Sequence, residues 1–323
     1  MLKQISYITL LIMLSGNIKA IDPQFSQFYA NSLYLGPSFA GAIEGSRLSA
    51  QHRNQWYELS SSFKTYSFSF DHYFKSFNSG LGCNFMQDVA GSSELGFLQA
   101  GIHYSYNFEI FNIWHVRPGL SFSYVEEGIF GNVLFIDQLR TDAGPSSASG
   151  QALEEARDID AASSLIIYTK GFWLGATVDH LLKPEISLYS TKDYTEIKTS
   201  VYGGIDVHRR GRLLKPSEDV LTFAFLYKQQ GTVRQLDLGA YWYNYPINIG
   251  LWYRGLPTFN SQRGDAAIFM LGLKFTTFNI GYSYDFTISN VLQYTRGSHE
   301  ISATYKFNLT KKKKKGGLPC PEF

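Results

Sequence analysis

Polar and apolar residues alternate along this chain in segment after segment of about ten residues, the length that a tilted membrane-crossing strand requires. Between Leu98 and Phe108 the set Leu98, Ala100, Ile102, Tyr104, Tyr106 and Phe108 is interleaved with Gln99, Gly101, His103, Ser105 and Asn107. The same split recurs in Tyr66, Phe68, Phe70 against Thr65, Ser67, Ser69, Asp71, and in Phe278, Ile280, Tyr282, Tyr284, Phe286 against Asn279, Gly281, Ser283, Asp285. A period of two puts successive side chains on opposite faces of a strand, so each segment has one apolar and one polar face. Helical periodicity is almost absent, and after the first twenty residues no apolar run approaches the 18 or so that a spanning helix needs.

The chemistry of the two faces narrows the class. Charged residues are 17% of the chain, against about 25% in soluble domains, while aromatics reach 16%. A soluble sandwich meets bulk water with Lys and Glu; here the polar face is mostly Gly, Ser, Thr and Asn, which suits a wet lumen. The outward face is aromatic at strand ends, where Tyr and Trp sit at headgroup level. Only a closed barrel satisfies every backbone group of a β-structure in lipid. The expectation is an all-β, up-and-down antiparallel transmembrane barrel. A net charge of +2, with a basic run confined to Lys311–Lys315, excludes the broad basic face of a nucleic-acid binder.

Strands are predicted at 47–53, 63–74, 80–88, 94–108, 114–124, 162–169, 172–180, 199–208, 220–229, 232–243, 247–255, 265–276, 278–286 and 298–309. That makes fourteen, and bacterial single-chain barrels are even-numbered. Tight turns such as Phe111-Asn112, Lys170-Gly171 and Asn244-Tyr245-Pro246 alternate with long connections at 125–161, 181–198 and 287–297. Short turns face the periplasm and long loops the outside in such barrels. The basic stretch Arg209 to Asp219 breaks the pattern, as a periplasmic contact loop or as a slip of the count.

Residues 1–20 read as a secretory signal, with Lys3, an apolar stretch from Ile5 to Leu14 and a small residue at Ala20. The domain order is then a signal peptide at 1–20, a segment at 21–46 lying at the periplasmic mouth or folded into the lumen, a barrel at 47–309 and a basic tail at 310–323. Both ends of the mature chain fall on the periplasmic side in this reading. Cys83 points outward to lipid, which argues against pairing with Cys320.

The blocks DPQFSQFYANSLYLGPSFAG (22–41), RNQWYELSSSFKTYSFSFDHYF (53–74), GLGCNFMQDVAG (80–91), VRPGLSFSYVEEGI (116–129), FIDQL (135–139), FWLGATVDHLLKPEISL (172–188) and LPCPEF (318–323) occur in the order found in one family. On these residues the chain resembles the PorP/SprF outer-membrane proteins of the Bacteroidota type IX secretion system. The resemblance implies a non-catalytic outer-membrane barrel, with outer membrane lipid and type IX secretion components as partners. It further implies export or surface attachment of a large secreted adhesin with a C-terminal sorting domain.

Candidate partner-binding residues are Gln24, Phe25, Gln27, Phe28 and Tyr29, as an aromatic docking strip or as a plug that seals the lumen. Arg53, Asn54, Gln55 and Trp56 read as a gripping loop or as a Trp at the membrane interface with polar neighbours. Pro319, Cys320 and Pro321 read as a docking peptide or a thiol linkage. Inward charges Asp71, Asp179, Asp206, Asp237 and Asp285 face Arg117, Arg254, Lys274 and Lys306, either lining a permeation path or pairing across the lumen. The histidines are scattered singly, which predicts no metal site, and no spacing singles out a nucleophile with its base; no cofactor is expected. A passive porin is the alternative function, and a lipid-modifying barrel enzyme is third.

Overall fold

A computed structural model describes residues 22–58, 62–91, 95–111, 113–129, 155–186, 193–212, 215–255, 266–288 and 297–308. After a short helix α1 (Ser32–Leu35) and a 3-10 turn (Pro37–Phe39) the described residues are mostly strand, with a second 3-10 turn at Lys75–Phe77. The strands are β1 (Ser46–Gln55), β2 (Phe63–Phe74), β3 (Ser79–Ala90), β4 (Leu95–Tyr106), β5 (Phe108–Ile110), β6 (Trp114–Ile129), β7 (Ala156–Thr169), β8 (Phe172–Asp179), β9 (Lys198–Arg212), β10 (Lys215–Gln230), β11 (Val233–Asn244), β12 (Ile247–Arg254), β13 (Ala266–Lys274), β14 (Phe278–Thr287) and β15 (Ser298–Phe307). The three-residue β5 continues β4 past Asn107, and both pair with β6, so they form one stave. Every stave pairs antiparallel with its sequence neighbours. β1 closes on β15, from Ser46 opposite Phe307 to Gln55 opposite Ser298. The result is a closed barrel of fourteen antiparallel strands.

Each of the fourteen predicted strands corresponds to one stave. The largest differences are at the long loop: β6 runs on to Ile129 and β7 starts at Ala156, in the stretch expected to be loop from 125. Glu126 and Glu127 there pair with Arg157 and Ala156, extending the ladder past the apolar belt. Arg209–Arg212 and Lys215–Asp219 are strand and not loop: they extend β9 and β10 at the short-turn end, where the two pair with each other up to Arg212 and Lys215. On the opposite side β10 and β11 are joined by a tight turn at Gly231, whose φ of +55° suits glycine.

The faces follow the alternation. Ile102, Leu120, Phe122, Ile205, Phe223, Leu251 and Ile301 stand outward and exposed on the lipid side. Their strand neighbours His103, Ser121, Gly204, Ala224, Trp252 and Ser302 are buried inside. Cys83 is exposed on the outer wall and unpaired among the described residues. A maleimide that partitions into bilayers should therefore label Cys83 in the intact membrane, where a membrane-impermeant one should not; efficient labelling by the impermeant reagent would contradict this register.

The lumen corrects the sequence reading. It is not wet on all sides: Ile166, Tyr168, Trp173, Tyr202, Leu226, Tyr241, Trp252, Ile268 and Met270 point inward and are buried. Four of these aromatics lie over glycines of the adjacent strand, Tyr202 on Gly175, Trp173 on Gly204, Trp252 on Gly239 and Tyr241 on Gly250. A β-carbon at any of these glycines would collide with the ring. One half of the inner wall is thus apolar. The other half, over β14, β15 and β1 to β4, carries Ser49, Gln51, Arg53, Ser67, Ser69, Asp71, Asp285, Glu300 and Ser302.

Candidate functional site

The apolar half-wall needs something to cover it, and residues 22–45 do so. This segment, the strap, runs down the lumen from the long-loop mouth to the short-turn mouth. Its first described residue, Asp22, meets His180, Lys198 and Gln230 at the loop-side ends of their strands. Its last turn, around Gly41, lies against Gly80 and Tyr73 at the opposite end. Among the described residues Asp22 lies at the long-loop mouth and Phe307, opposite Ser46, at the short-turn mouth; the chain ends themselves lie outside the described residues.

Apolar strap residues pack on the apolar half-wall. Phe28 meets Trp252 edge-on at 5.0 Å and Tyr29 meets Tyr241 at 5.4 Å. Phe39 lies 5.6 Å from Tyr202, and Leu35 and Ala42 join the same buried cluster. Such aromatic pairs add about 0.5–1.5 kcal/mol each beyond burial. The strap's backbone is satisfied by the polar half. Glu300, fully buried, accepts from the N–H groups of Ser26 at 2.7 Å and Gln27 at 2.8 Å, and from Gln51 Nε2 and Arg53. Ser26 Oγ donates to Asp285, which also pairs with Arg53 at 2.8 Å and Arg254 at 3.0 Å. Lower down, Ser38 N–H donates to Ser164, Thr177 donates to the Leu35 carbonyl, Arg117 donates to the Ser38 and Ala40 carbonyls, and Gly41 N–H donates to Asp71.

The inward charges are therefore mostly tied to one another or to the strap. Asp71 pairs with Arg47, Asp179 with Lys198, and Asp237 and Asp285 with Arg254. The cavities left between strap and wall are small, about 50, 60 and 30 Å³. Volumes of that size hold one to a few waters.

Asp22 is the strap's latch at the loop mouth. Its carboxylate accepts from His180 Nε2 at 2.8 Å and Lys198 Nζ at 2.7 Å, while His180 Nδ1 donates to Asp160 at 2.8 Å. Burial alone would raise the Asp22 pKa, but Lys198 and His180 outweigh it and hold the carboxyl well below its usual range. Burial opposes charge on His180 too, yet Asp22 and Asp160 lift it to about 10. Asp22 thus contributes stability that is present above its unfolded pKa of about 3.9 and lost as pH falls further; His180 contributes stability that is full below about 6.5 and lost as pH rises towards its folded value. Amide protection of residues 23–28, corrected for intrinsic exchange, should be greatest between about pH 4 and 6.5. Protection that kept rising towards pH 10 would contradict the latch.

The sequence candidates fall differently from one another. Phe25, Gln27 and Phe28 are buried, with Gln27 at 0% exposure, and Tyr29 is partly buried, so all four lie within the lumen. Gln24 lines the 50 Å³ cavity at the mouth. Arg53, Asn54 and Gln55 lie in β1, where a loop was expected; Arg53 is 2% exposed, held by Asp285 and Glu300. Trp56 ends the strand with φ +57° and an edge-on contact to Phe63. Pro319, Cys320 and Pro321 lie outside the described residues, as do the signal segment 1–20 and the basic run Lys311–Lys315. Asp22, Asp160, His180, Lys198, Gln230 and Glu300 were missed as a site. The signal available for Glu300 was its position as the lone acid among the inward Ser298, Ser302 and Thr304.

A closed fourteen-strand barrel with an apolar outer belt and its own chain filling the lumen defines an integral outer-membrane protein of the bacterial β-barrel class. The sequence profile of the PorP/SprF family, type IX secretion system membrane proteins, matches residues 17–305, and the chain belongs to that family. A search of curated proteins found no match. Among solved structures, the KdgM porin is similar at 10% identity and TM-score 0.37, over 81% of this chain and 99% of that one. The CymD monoaromatic hydrocarbon channel is similar at 13% and 0.45, over 89% and 95%, and CdiB from Acinetobacter baumannii at 6% and 0.46, over 81% and 60%.

Proposed function

We propose that this protein is a non-catalytic barrel that serves type IX secretion by holding a large adhesin, through its C-terminal sorting domain, at the long-loop mouth. The observation that carries the reading against a passive porin is the strap. A solute channel needs a continuous aqueous path, and residues 22–45 occupy the lumen with their backbone bonded to wall side chains from Glu300, Ser164, Thr177, Arg117 and Asp71. A barrel sealed by its own chain offers its loops and rim to a protein, not its bore to a solute. In this reading the signal peptide is removed after Ala20, the short turns and the tail at 310–323 face the periplasm, and Asp22 lies towards the cell surface.

The test is the surface-exposed proteome of a strain lacking the gene, compared with its parent. Selective loss of one or a few large adhesins with sorting domains is the expected result. An unchanged surface with impaired small-solute uptake would replace this reading with the porin.

A further inference from the structure

One row of outward side chains runs through the pairing registers across ten strands, from the loop-side end of β2 to the short-turn end of β8. From β13 to β8 the row is apolar: Phe269, Leu251, Ala240, Phe223, Ile205 and Phe172. Together with the parallel row of Tyr253, Leu238, Phe225 and Leu174 it lines an open apolar groove of about 1190 Å³ on the lipid-facing wall. The small side chains of Ala240 and Ala267 lie among the larger ones in it. Five strand spacings of about 4.8 Å make the groove roughly 24 Å long.

Above the groove the same row turns polar, with Tyr284, His299, Asn54 and Lys64 on β14, β15, β1 and β2. The Tyr282 hydroxyl donates to His299 Nδ1 at 2.7 Å, which places the ring proton on Nε2 and makes that nitrogen a donor. The rings of Tyr57 and Tyr284 flank the imidazole at 4.7 and 4.8 Å, and Lys64 is exposed. The acids of these four strands, Asp71, Asp285 and Glu300, are all buried towards the lumen, so the outward patch carries a cation and donors with no strand acid beside them. Three strand spacings spread these groups over roughly 14 Å, wider than a single phosphodiester.

We propose that this row binds one phosphorylated glycolipid of the leaflet at the long-loop rim, with its phosphate and sugars on Lys64, Asn54 and His299 and an acyl chain in the groove below. Within the belt only hydrocarbon meets the groove, and the cation at its head favours an anionic lipid. The breadth of the polar patch suits a sugar-phosphate headgroup better than the single phosphate of a phospholipid. The glycolipid rests on the reading that the long loops face the cell surface, the leaflet where such lipids reside. Lipid retention is read on purified protein, so it can fail while cargo export holds, and the reverse.

The experiment uses the full mature chain in bilayer discs of phosphatidylethanolamine and phosphatidylglycerol that also hold bisphosphorylated lipid A or its dephosphorylated form, with co-purifying lipid counted by native mass spectrometry. The wild type should retain the phosphorylated form over the dephosphorylated one by at least about five-fold, the scale of one basic residue near an anionic surface. K64Q/H299Q should bring that ratio close to one. A240F/A267F, which fills the groove, should lower the retention of both forms alike and keep their ratio. R234Q, at an exposed arginine of β11 away from this row, should match the wild type. Heat-modifiable migration on a gel confirms that each variant is folded. A wild type without the preference, a glutamine variant that keeps it, or a filled groove that retains lipid undiminished overturns the proposal. So does phosphatidylglycerol held as tightly as the phosphorylated lipid A.

Discussion

Glu300→Ala is expected to free residues 22–31 from the lumen and to lower the unfolding free energy by about 3–5 kcal/mol, the range for breaking a buried ion pair from one side. The carboxylate has 0% exposure and holds two strap N–H groups, Gln51 and Arg53 at once. Removing it leaves the amides of Ser26 and Gln27 without their acceptor in a buried site, while Arg53 keeps Ser26 Oγ and Asp285, and each buried unsatisfied donor is penalised by about 1–3 kcal/mol. Glu300→Gln should do less harm than alanine but not restore the wild type, because its amide oxygen still accepts from one strap N–H and Arg53 keeps Asp285 at 2.8 Å, while its NH2 faces the donors that the other carboxylate oxygen served. Urea unfolding followed by tryptophan fluorescence gives the energies, and limited proteolysis between Gln24 and Tyr29 reports the strap. An alanine variant with wild-type stability and no new cleavage would show that the carboxylate does not organise the strap.

Gly119→Leu is expected to drive the middle of the strap off the wall while leaving the barrel closed. Even a β-carbon at Gly119 would overlap the backbone of Pro37 and Ser38, and one at Gly80 would overlap the Ala40 carbonyl. Backbone cannot rotate away as a side-chain tip can, so the penalty should exceed the roughly 1–3 kcal/mol of ordinary overpacking. The lower strap contacts, Ser38 to Ser164 and Arg117 to Ala40, must then part. Gly171→Ala is the control, since its β-carbon would meet nothing closer than 3.7 Å. The expected readout is new protease cleavage within residues 36–41 for Gly119→Leu and Gly80→Val and none for Gly171→Ala. Cleavage equal to wild type in the first two would mean that the strap does not lie against β3 and β6.

Much of the wall was legible because one rule, alternation, acts locally and repeats. Leu98 to Phe108 and Phe278 to Phe286 each declare both faces within a single segment, and fourteen such segments close only one way. The filling of the lumen was not legible for a physical reason. Trp173, Tyr202, Tyr241 and Trp252 sit on the face that elsewhere carries Ser, Thr and Gly, and period two assigns a face without saying what meets it. The available clue was the glycine two residues from each ring, Gly175, Gly204, Gly239 and Gly250, which leaves room for an aromatic lying flat on the neighbouring strand. The length of β9 was hidden likewise. Arg209–Arg212 lacks apolar alternation because the end of β9 stands beyond the belt, where no acyl chains enforce one.

The candidate site was half visible. The N-terminal segment stood out as too long for a terminal strand, and folding into the lumen was one of its two readings. Its partners were not visible, because Asp22 is separated from His180 by 158 residues and Ser26 from Glu300 by 274. Contacts at such separations are set by barrel register, which has no local signature.

Ion current across a planar bilayer holding the folded mature protein tests the central claim, that residues 22–45 close this barrel. With the strap in place the account predicts no steady conductance, and a variant lacking residues 22–45 should open a continuous one. Stable ohmic steps from the intact wild type would contradict it and make the protein a channel.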